Sequence, residues 1–191
     1  MGKHLDLGCG SVPKNPYNQQ QCFGIDIREG LGINIRSANL AVQPIPYPDN
    51  HFESVSAYDF LEHVPRVVVD VSNAKTIFPF VELMNEVWRV LKPSGKFYAV
   101  TPAYPSHKAF VDPTHVNFIS KKTHEYFAGT DPLARMYGFT GNFDVIRVQR
   151  IRPRVIYTPQ HFTFTQKIKD LSDMITLRRS HLIWELSKSN N

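Results

Sequence analysis

Cysteine is scarce in this sequence and long apolar runs are absent. Two cysteines among 191 residues are too few for the disulfide scaffold of a small secreted domain. No apolar run approaches the roughly 18 residues that a membrane-spanning helix needs, and the N-terminus has no apolar stretch typical of a signal peptide. We therefore expect a cytoplasmic protein without a membrane span.

The composition also excludes a disordered chain, because 42% of the residues are apolar and only 20% are charged. At roughly 150 residues per domain, the length favours one domain over residues 1–191. The net charge of +5 is uneven, since residues 145–191 hold nine Lys or Arg against three acidic residues. This excess would attract an anionic partner, but no recognisable nucleic-acid motif accompanies it. Nucleic acid stays open as a partner and is not favoured.

Short apolar runs that end in turn residues alternate with helical patterns, which is typical of an α/β layer structure. The runs predict strands at Lys3–Leu7, Cys22–Ile27, near Ile33–Ile35, Phe52–Tyr58, Phe97–Val100, Phe143–Ile151 and His181–Ser187. Periodicity predicts a helix over 80–91, a second over 120–127 that Ser120 caps, and an amphipathic helix that contains Ile168, Leu171 and Ile175. Two prolines between the first two strands predict a loop there instead of a long helix.

The first predicted strand runs directly into a glycine turn, Leu5-Asp6-Leu7-Gly8-Cys9-Gly10. Glycine is needed where the backbone adopts a positive φ and a ligand must approach the main chain closely. Asp26 ends the second strand, where a carboxylate can accept both hydroxyl protons of a ribose. This order of strand, turn, strand and acid indicates a nucleotide-binding site.

Five ordered motifs between Leu5 and about Ser120 resemble those of the class I S-adenosylmethionine-dependent methyltransferases, of the small methyltransferase-domain type. They are LDLGCG (5–10), GIDI (24–27), PIPYPDNHFESV (44–55), FLEHV (60–64) and NEVWRVLKPSGKFYAVTP (85–102). The resemblance implies a Rossmann-like, doubly wound sheet of seven strands, mostly parallel with an antiparallel C-terminal strand. It also implies S-adenosyl-L-methionine as the cofactor. On this basis 1–120 would form the cofactor-binding core, and 121–191 would add strands, a helix and a substrate-side insertion.

The same resemblance implies which residues contact the cofactor. Asp26 would hold the ribose hydroxyls, and Asn39 would read the adenine amino group through its amide oxygen, where the family usually has an acid. Tyr58 would line the methionine side of the pocket. The full implied set is Asp6, Gly8, Cys9, Gly10, Asp26, Ile27, Asn39, Leu40 and Tyr58. Cys9 is most simply explained as a small core residue.

Candidate catalytic residues come after the fourth and fifth predicted strands, where ligands bind in an open α/β sheet. His115, with Asp112 as an orienting acid, is the first candidate for a general base, and His63 in FLEHV is the second. For His115, a role in tying down a Pro-rich loop is at least as simple an explanation, and for His63 the simpler explanation is a residue at a helix start under the pocket. His107, Asp112 and His115 offer nitrogen and oxygen ligands, but their spacing matches no metal motif, so we predict no metal site.

Two classes of base methylation are disfavoured by the residues after the fourth strand. The residues 58–61 are not the Asn/Asp-Pro-Pro-Tyr tetrad of enzymes that methylate exocyclic amines, and no Pro-Cys pair offers a nucleophile for cytosine C5. We expect methyl transfer to oxygen or nitrogen of a small or exposed acceptor, which can be anionic. The alternatives are an RNA or other nucleic-acid methyltransferase that uses the basic C-terminal surface, and a catalytically silent cofactor-binding module.

Overall fold

The computed structural model describes residues 2–152 and 179–190. The predicted amphipathic helix, and with it most of the predicted substrate-side insertion, lies outside these residues. The described strands are β1 (Lys3–Leu7), β2 (Gln21–Asp26), β3 (Ile35–Ser37), β4 (Phe52–Tyr58), β5 (Val68–Asp70), β6 (Lys75–Ile77), β7 (Leu91–Pro102), β8 (Phe143–Ile151) and β9 (His181–Lys188). The described helices are α1 (Pro79–Val90), α2 (Lys108–Val111) and three 3-10 turns at Leu61–His63, Thr123–Tyr126 and Leu133–Tyr137.

Seven of the strands form one sheet in the order β3-β2-β1-β4-β7-β9-β8, and β5 pairs with β6 in a separate hairpin. The first five of these strands run parallel, and β9 is antiparallel to both of its neighbours. This confirms the predicted α/β fold of the Rossmann-like type. The chain moves outward from β1 to β3 and then returns to the other side of β1 with β4. Ligands bind at such a switch point, outside the carboxyl ends of the strands.

The central strands are buried on both faces, as strands of a parallel sheet usually are. In β4 and β7 the side chains of Val55, Ala57, Phe97 and Ala99 are fully buried. α1 packs the stripe that contains Met84 against the same core, since its apolar side chains recur with helical spacing. None of the described helices is long and apolar enough to cross a membrane.

Most predicted elements are confirmed, and the differences have identifiable causes. β3 lies later than predicted because Ile33 is fully exposed and pairing with β2 begins at Ile35. β7 begins at Leu91, which pairs with Phe52 before the register shifts. The predicted Ser120-capped helix is only a 3-10 turn, Thr123–Tyr126. The β5–β6 hairpin and α2 were not predicted, whereas the loop between β1 and β2 is confirmed.

A buried hydrogen-bond chain links β1 to β4 beneath the glycine turn. The Ser56 hydroxyl donates to Asp6 Oδ1 at 2.5 Å, so it accepts its second hydrogen bond from His4 Nε2 at 2.9 Å. His4 Nδ1 then accepts from the Ser54 hydroxyl at 2.7 Å. Burial lowers the pKa of His4 to about 3 and raises the pKa of Asp6 to about 6. The other oxygen of Asp6 accepts the backbone N–H of Lys14 at 2.8 Å, which ties down the loop after the glycine turn.

Substitution of Ser56 by alanine tests this chain. We expect Ser56→Ala to lower the free energy of unfolding by about 2–4 kcal/mol, because it leaves His4 Nε2 and Asp6 Oδ1 buried without their shared partner. Urea unfolding followed by tryptophan fluorescence measures the change. The control is Ser37→Ala, at an exposed hydroxyl that donates to the carbonyl of Ile27, with an expected change within about 0.5 kcal/mol. A similarly small change in Ser56→Ala would show that the chain contributes nothing to stability.

Candidate functional site

A cavity of about 390 Å³ lies at the carboxyl ends of β1, β2 and β4, which is the size range of small-ligand sites. It is at the switch point of the sheet, where the fold favours ligand binding. Five of the predicted cofactor contacts line its wall: Gly8, Asp26, Ile27, Asn39 and Leu40. The segment after β4 contributes Asp59, Phe60 and His63. The cavity therefore joins the predicted cofactor site to one of the predicted catalytic histidines.

The glycine turn has the backbone conformation that its sequence predicts. Gly8 and Gly10 have φ values of 62° and 63°, in the left-handed region. A Cβ atom at Gly8 would lie 2.5 Å from the Phe60 ring, so only glycine fits between β1 and this wall of the cavity. The N–H of Gly10 donates to Asp26 Oδ2 at 2.9 Å, which fastens the turn to the end of β2.

Asp26 is held as a carboxylate at the floor of the cavity. Its Oδ1 accepts hydrogen bonds from the backbone N–H of Arg28 at 3.1 Å and from Arg28 Nε at 2.8 Å. These contacts lower the pKa of Asp26 to about 2. The Arg28 side chain is 63% exposed, so it can rotate into solvent. A ribose that bound the carboxylate would replace the guanidinium of Arg28.

Some of the predicted cofactor contacts lie in the cavity wall and others lie outside it. Ile27 is exposed in the cavity wall, and Asn39 Oδ1 accepts the backbone N–H of Ala41 at 3.1 Å. The wall does not include Asp6, Cys9, Gly10 or Tyr58. Asp6 accepts the backbone N–H of Lys14 and so holds the loop after the turn. Tyr58 is buried beside Tyr98, with ring centroids 5.9 Å apart. A Cβ atom at Gly24 would clash with the sulfur of Cys9, so Cys9 packs onto β2 as a small core residue.

The structure brings His63 and His115 together. Their rings meet edge to face with centroids 4.7 Å apart. His63 Nδ1 lies 2.9 Å from the Thr114 hydroxyl, and that hydroxyl donates to Asp112 Oδ1 at 2.6 Å. Because the hydroxyl has one proton, His63 donates from Nδ1 to Thr114, which leaves Nε2 of His63 with its lone pair. Asp112 therefore orients His63 through Thr114.

His115 is held by a different contact. Its Nδ1 donates to the carbonyl of Ala109 at 3.3 Å, so its Nε2 also keeps the lone pair. That nitrogen is 3.9 Å from Asp112 Oδ2, beyond hydrogen-bond distance, and 4.0 Å from Glu62 Oε1. The predicted contact of Asp112 with His115 is thus loose, and the closer partner of Asp112 is Thr114. His107, in the same segment, is exposed and outside this group.

Glu62 is the site residue for which the sequence predicts no role. It is 1% exposed, and its Oε2 accepts the hydroxyl proton of Thr101 at 3.0 Å. Its Oε1 is buried and has no hydrogen-bond partner. Burial raises the pKa of Glu62 to about 8. The only sequence signal was its place beside His63 in FLEHV, where it is equally typical of a first-turn acid.

Comparison with known proteins supports the methyltransferase domain that the sequence motifs predict. A family model that describes a methyltransferase domain matches residues 5–99, which include the glycine turn, Asp26, Glu62 and His63. No curated protein matches the chain.

Solved structures share the fold at low identity. A chain of a Haloferax volcanii complex that contains the Trm112 methyltransferase activator is 13% identical, with a TM-score of 0.60 over 100% of this chain and 83% of that one. An S-adenosylmethionine-dependent methyltransferase from Archaeoglobus fulgidus is 15% identical, with a TM-score of 0.57 over 98% and 86%. One from Mesorhizobium loti is 15% identical, with a TM-score of 0.54 over 97% and 90%. The chain contains a class I S-adenosylmethionine-dependent methyltransferase domain, and its cofactor is S-adenosylmethionine.

Proposed function

We propose that this methyltransferase transfers the methyl group to oxygen or nitrogen of a small or weakly anionic acceptor. The observation that carries the proposal is the position of His63, which lines the cofactor cavity and contacts His115. A lone pair of the acceptor attacks the methyl carbon while the carbon–sulfur bond breaks, and that electron pair stays on sulfur as neutral S-adenosylhomocysteine. Holding the nucleophile and methyl in line supplies several kcal/mol of the acceleration.

An acceptor hydroxyl or amine must also lose its proton. The histidine pair is where that proton would be handled, since His63 lines the cavity, His115 contacts His63, and each neutral ring keeps a lone pair on Nε2. Help from a positioned group at this step is typically worth ~10²–10⁴-fold in rate. The sequence-based prediction of a histidine base, at His115 or His63, stays a prediction, as does the expected cytoplasmic location.

The charges of the C-terminal segment support a small acceptor over a nucleic acid. Arg147 forms an ion pair with Glu185 at 3.0 Å. Lys188 is 6% exposed and donates to the carbonyl of Leu91 at 2.8 Å. A nucleic-acid site would depend on exposed positive charge, and part of that charge is instead paired or buried within the protein.

Methyl transfer to fractionated cell extract tests the proposal. We expect labelled methyl from S-adenosylmethionine to enter the small-molecule fraction, with little change in rate between low and moderate salt. Transfer to RNA with an affinity that falls by about one unit of log–log slope per phosphate contact would favour the nucleic-acid alternative. Absence of S-adenosylhomocysteine above the protein-free control in every fraction would favour a catalytically silent module.

A further inference from the structure

We propose that Glu62, His63 and His115 bind a divalent transition-metal cation at the wall of the cofactor cavity. Each side chain offers one ligand atom, and the three atoms lie within 4.8 Å of one another. Two imidazole nitrogens and a carboxylate oxygen form a donor set that suits zinc and its first-row neighbours, whereas magnesium prefers oxygen ligands. The sequence alone predicted no metal site, because the spacing from His63 to His115 matches no metal motif.

The buried oxygen of Glu62 is the first support. Oε1 lies in the interior without a hydrogen bond, while Oε2 is satisfied by Thr101. A buried polar atom without a partner is rare in native proteins and calls for one, such as a bound ion. The nearest described ionisable nitrogen, His115 Nε2, is 4.0 Å away, too far for a hydrogen bond. A cation between the two atoms would satisfy both of them.

The hydrogen bonds of the two rings are the second support. A metal-binding histidine usually donates its other ring N–H to a carboxylate or a carbonyl, which fixes the tautomer and the ring orientation. His115 donates from Nδ1 to the carbonyl of Ala109. His63 donates from Nδ1 to the Thr114 hydroxyl, and that hydroxyl in turn donates to the Asp112 carboxylate. Both Nε2 atoms are thereby kept as electron-pair donors.

The backbone fixes the two loops that carry these ligands against each other. The carbonyl oxygen of Glu62 accepts the N–H groups of Val116 at 2.8 Å and Asn117 at 3.1 Å. The side-chain amide of Asn117 donates to the carbonyl of Leu61 at 3.0 Å. Ligands of tetrahedral zinc, each about 2.1 Å from the ion, lie about 3.4 Å apart. Small side-chain rotations within this fixed frame therefore bring Glu62 and the rings to binding distance.

The charge of the surroundings favours a cation. Asp59 lines the same cavity, and Asp112 Oδ2 is 3.9 Å from His115 Nε2. Opposite charges attract, so these two carboxylates favour a cation at the cluster.

A bound cation would also narrow the class of acceptor, and this inference rests on the proposed function. Three protein ligands leave a coordination position open, as in catalytic zinc sites. An acceptor hydroxyl in that position would give up its proton to solvent water more readily as it takes the methyl group, so the acceptor class is one with a coordinating oxygen. The two histidines then act as ligands of the cation, and no free histidine base is required.

Direct metal binding tests the site without any acceptor. Protein stripped with a chelator is titrated by calorimetry with Zn²⁺ and, separately, with Mg²⁺. We use a Cys22→Ser background because that half-buried thiol could bind zinc. We expect about one equivalent of Zn²⁺ to bind, and Mg²⁺ to bind at least ~10-fold more weakly.

The variants localise the ion. Glu62→Gln and His115→Asn should each weaken Zn²⁺ binding by ~10-fold or more. The new glutamine can still accept from Thr101, and the new asparagine can still donate to Ala109, so these substitutions keep the neighbouring contacts. The matched control is His124→Ala, a half-buried histidine outside the cluster, with unchanged binding expected. Zn²⁺ should raise the unfolding temperature of the parent protein and of this control, but not that of Glu62→Gln.

The cation site and the proposed function can fail independently in these experiments. Equal Zn²⁺ binding by the parent protein and by both Glu62→Gln and His115→Asn would overturn the cation site, and so would no saturable binding; methyl transfer to the extract would then still support the proposed function. Zn²⁺ binding that both variants lose would support the site even if no extract fraction were methylated, in which case the proposed function alone would fail. Binding of S-adenosylhomocysteine to each variant confirms that the fold is intact.

Discussion

His115→Ala is expected to lower turnover by about 10²-fold or more while leaving the affinity for S-adenosylhomocysteine nearly unchanged. The substitution removes the Nε2 atom that faces Glu62 and the ring that packs on His63. It leaves the glycine turn and Asp26 intact. Single-turnover rates with the methylated extract fraction measure the effect, and calorimetry measures the cofactor affinity.

Two further variants separate catalysis from loop packing. His115→Asn can keep the hydrogen bond to the carbonyl of Ala109, so it should restore stability without restoring turnover. His107→Ala, in the same segment but exposed, should have no effect. Recovery of turnover in His115→Asn would show that His115 only ties down the loop. A larger loss in His63→Ala than in His115→Ala would place His63 nearer the acceptor.

The strands of the sheet were largely predictable because they carry their own local signals. Lys3–Leu7, Phe52–Tyr58 and Phe143–Ile151 were predicted to the residue, since each apolar run is bounded by turn residues. The early start of β7 was not predictable, because Pro93 and Gly95 act locally as signals that end a helix. Pairing of Leu91 with Phe52 is a tertiary contact that overrides them.

The parts of the candidate site that could be predicted from the sequence are those in which the residue type itself indicates a binding role. The glycines of the turn and the acid at the end of β2 predict a cofactor site in this way, and Gly8 and Asp26 line the cavity. The separate predictions of His63 and His115 say nothing of their contact, which depends on β4 lying beside β7. The proposed role of Glu62 could not be predicted from the sequence, because it depends on burial and on an unsatisfied oxygen, neither of which has a sequence signature.

Asp26→Ala is expected to weaken the binding of S-adenosylhomocysteine by about 1–3 kcal/mol, because two ribose hydroxyls lose a charged acceptor. The pKa of Asp26 is lowered to about 2, so the carboxylate is ionised throughout the pH range of the measurement. Calorimetry measures the change. Asp26→Asn keeps an oxygen for the N–H of Gly10 and should lose less affinity than Asp26→Ala.

Arg28→Ala is the matched test of the same carboxylate. Its ion pair with Asp26 must open before a ribose binds, and because the Arg28 side chain is exposed the pair is screened by solvent and contributes little. Arg28→Ala should therefore bind S-adenosylhomocysteine as tightly as the parent protein or up to about fivefold more tightly. Weaker binding would show that the guanidinium contacts the cofactor. Unchanged affinity in Asp26→Ala would remove Asp26 from the site, and the end of β2 would then serve only to hold the glycine turn.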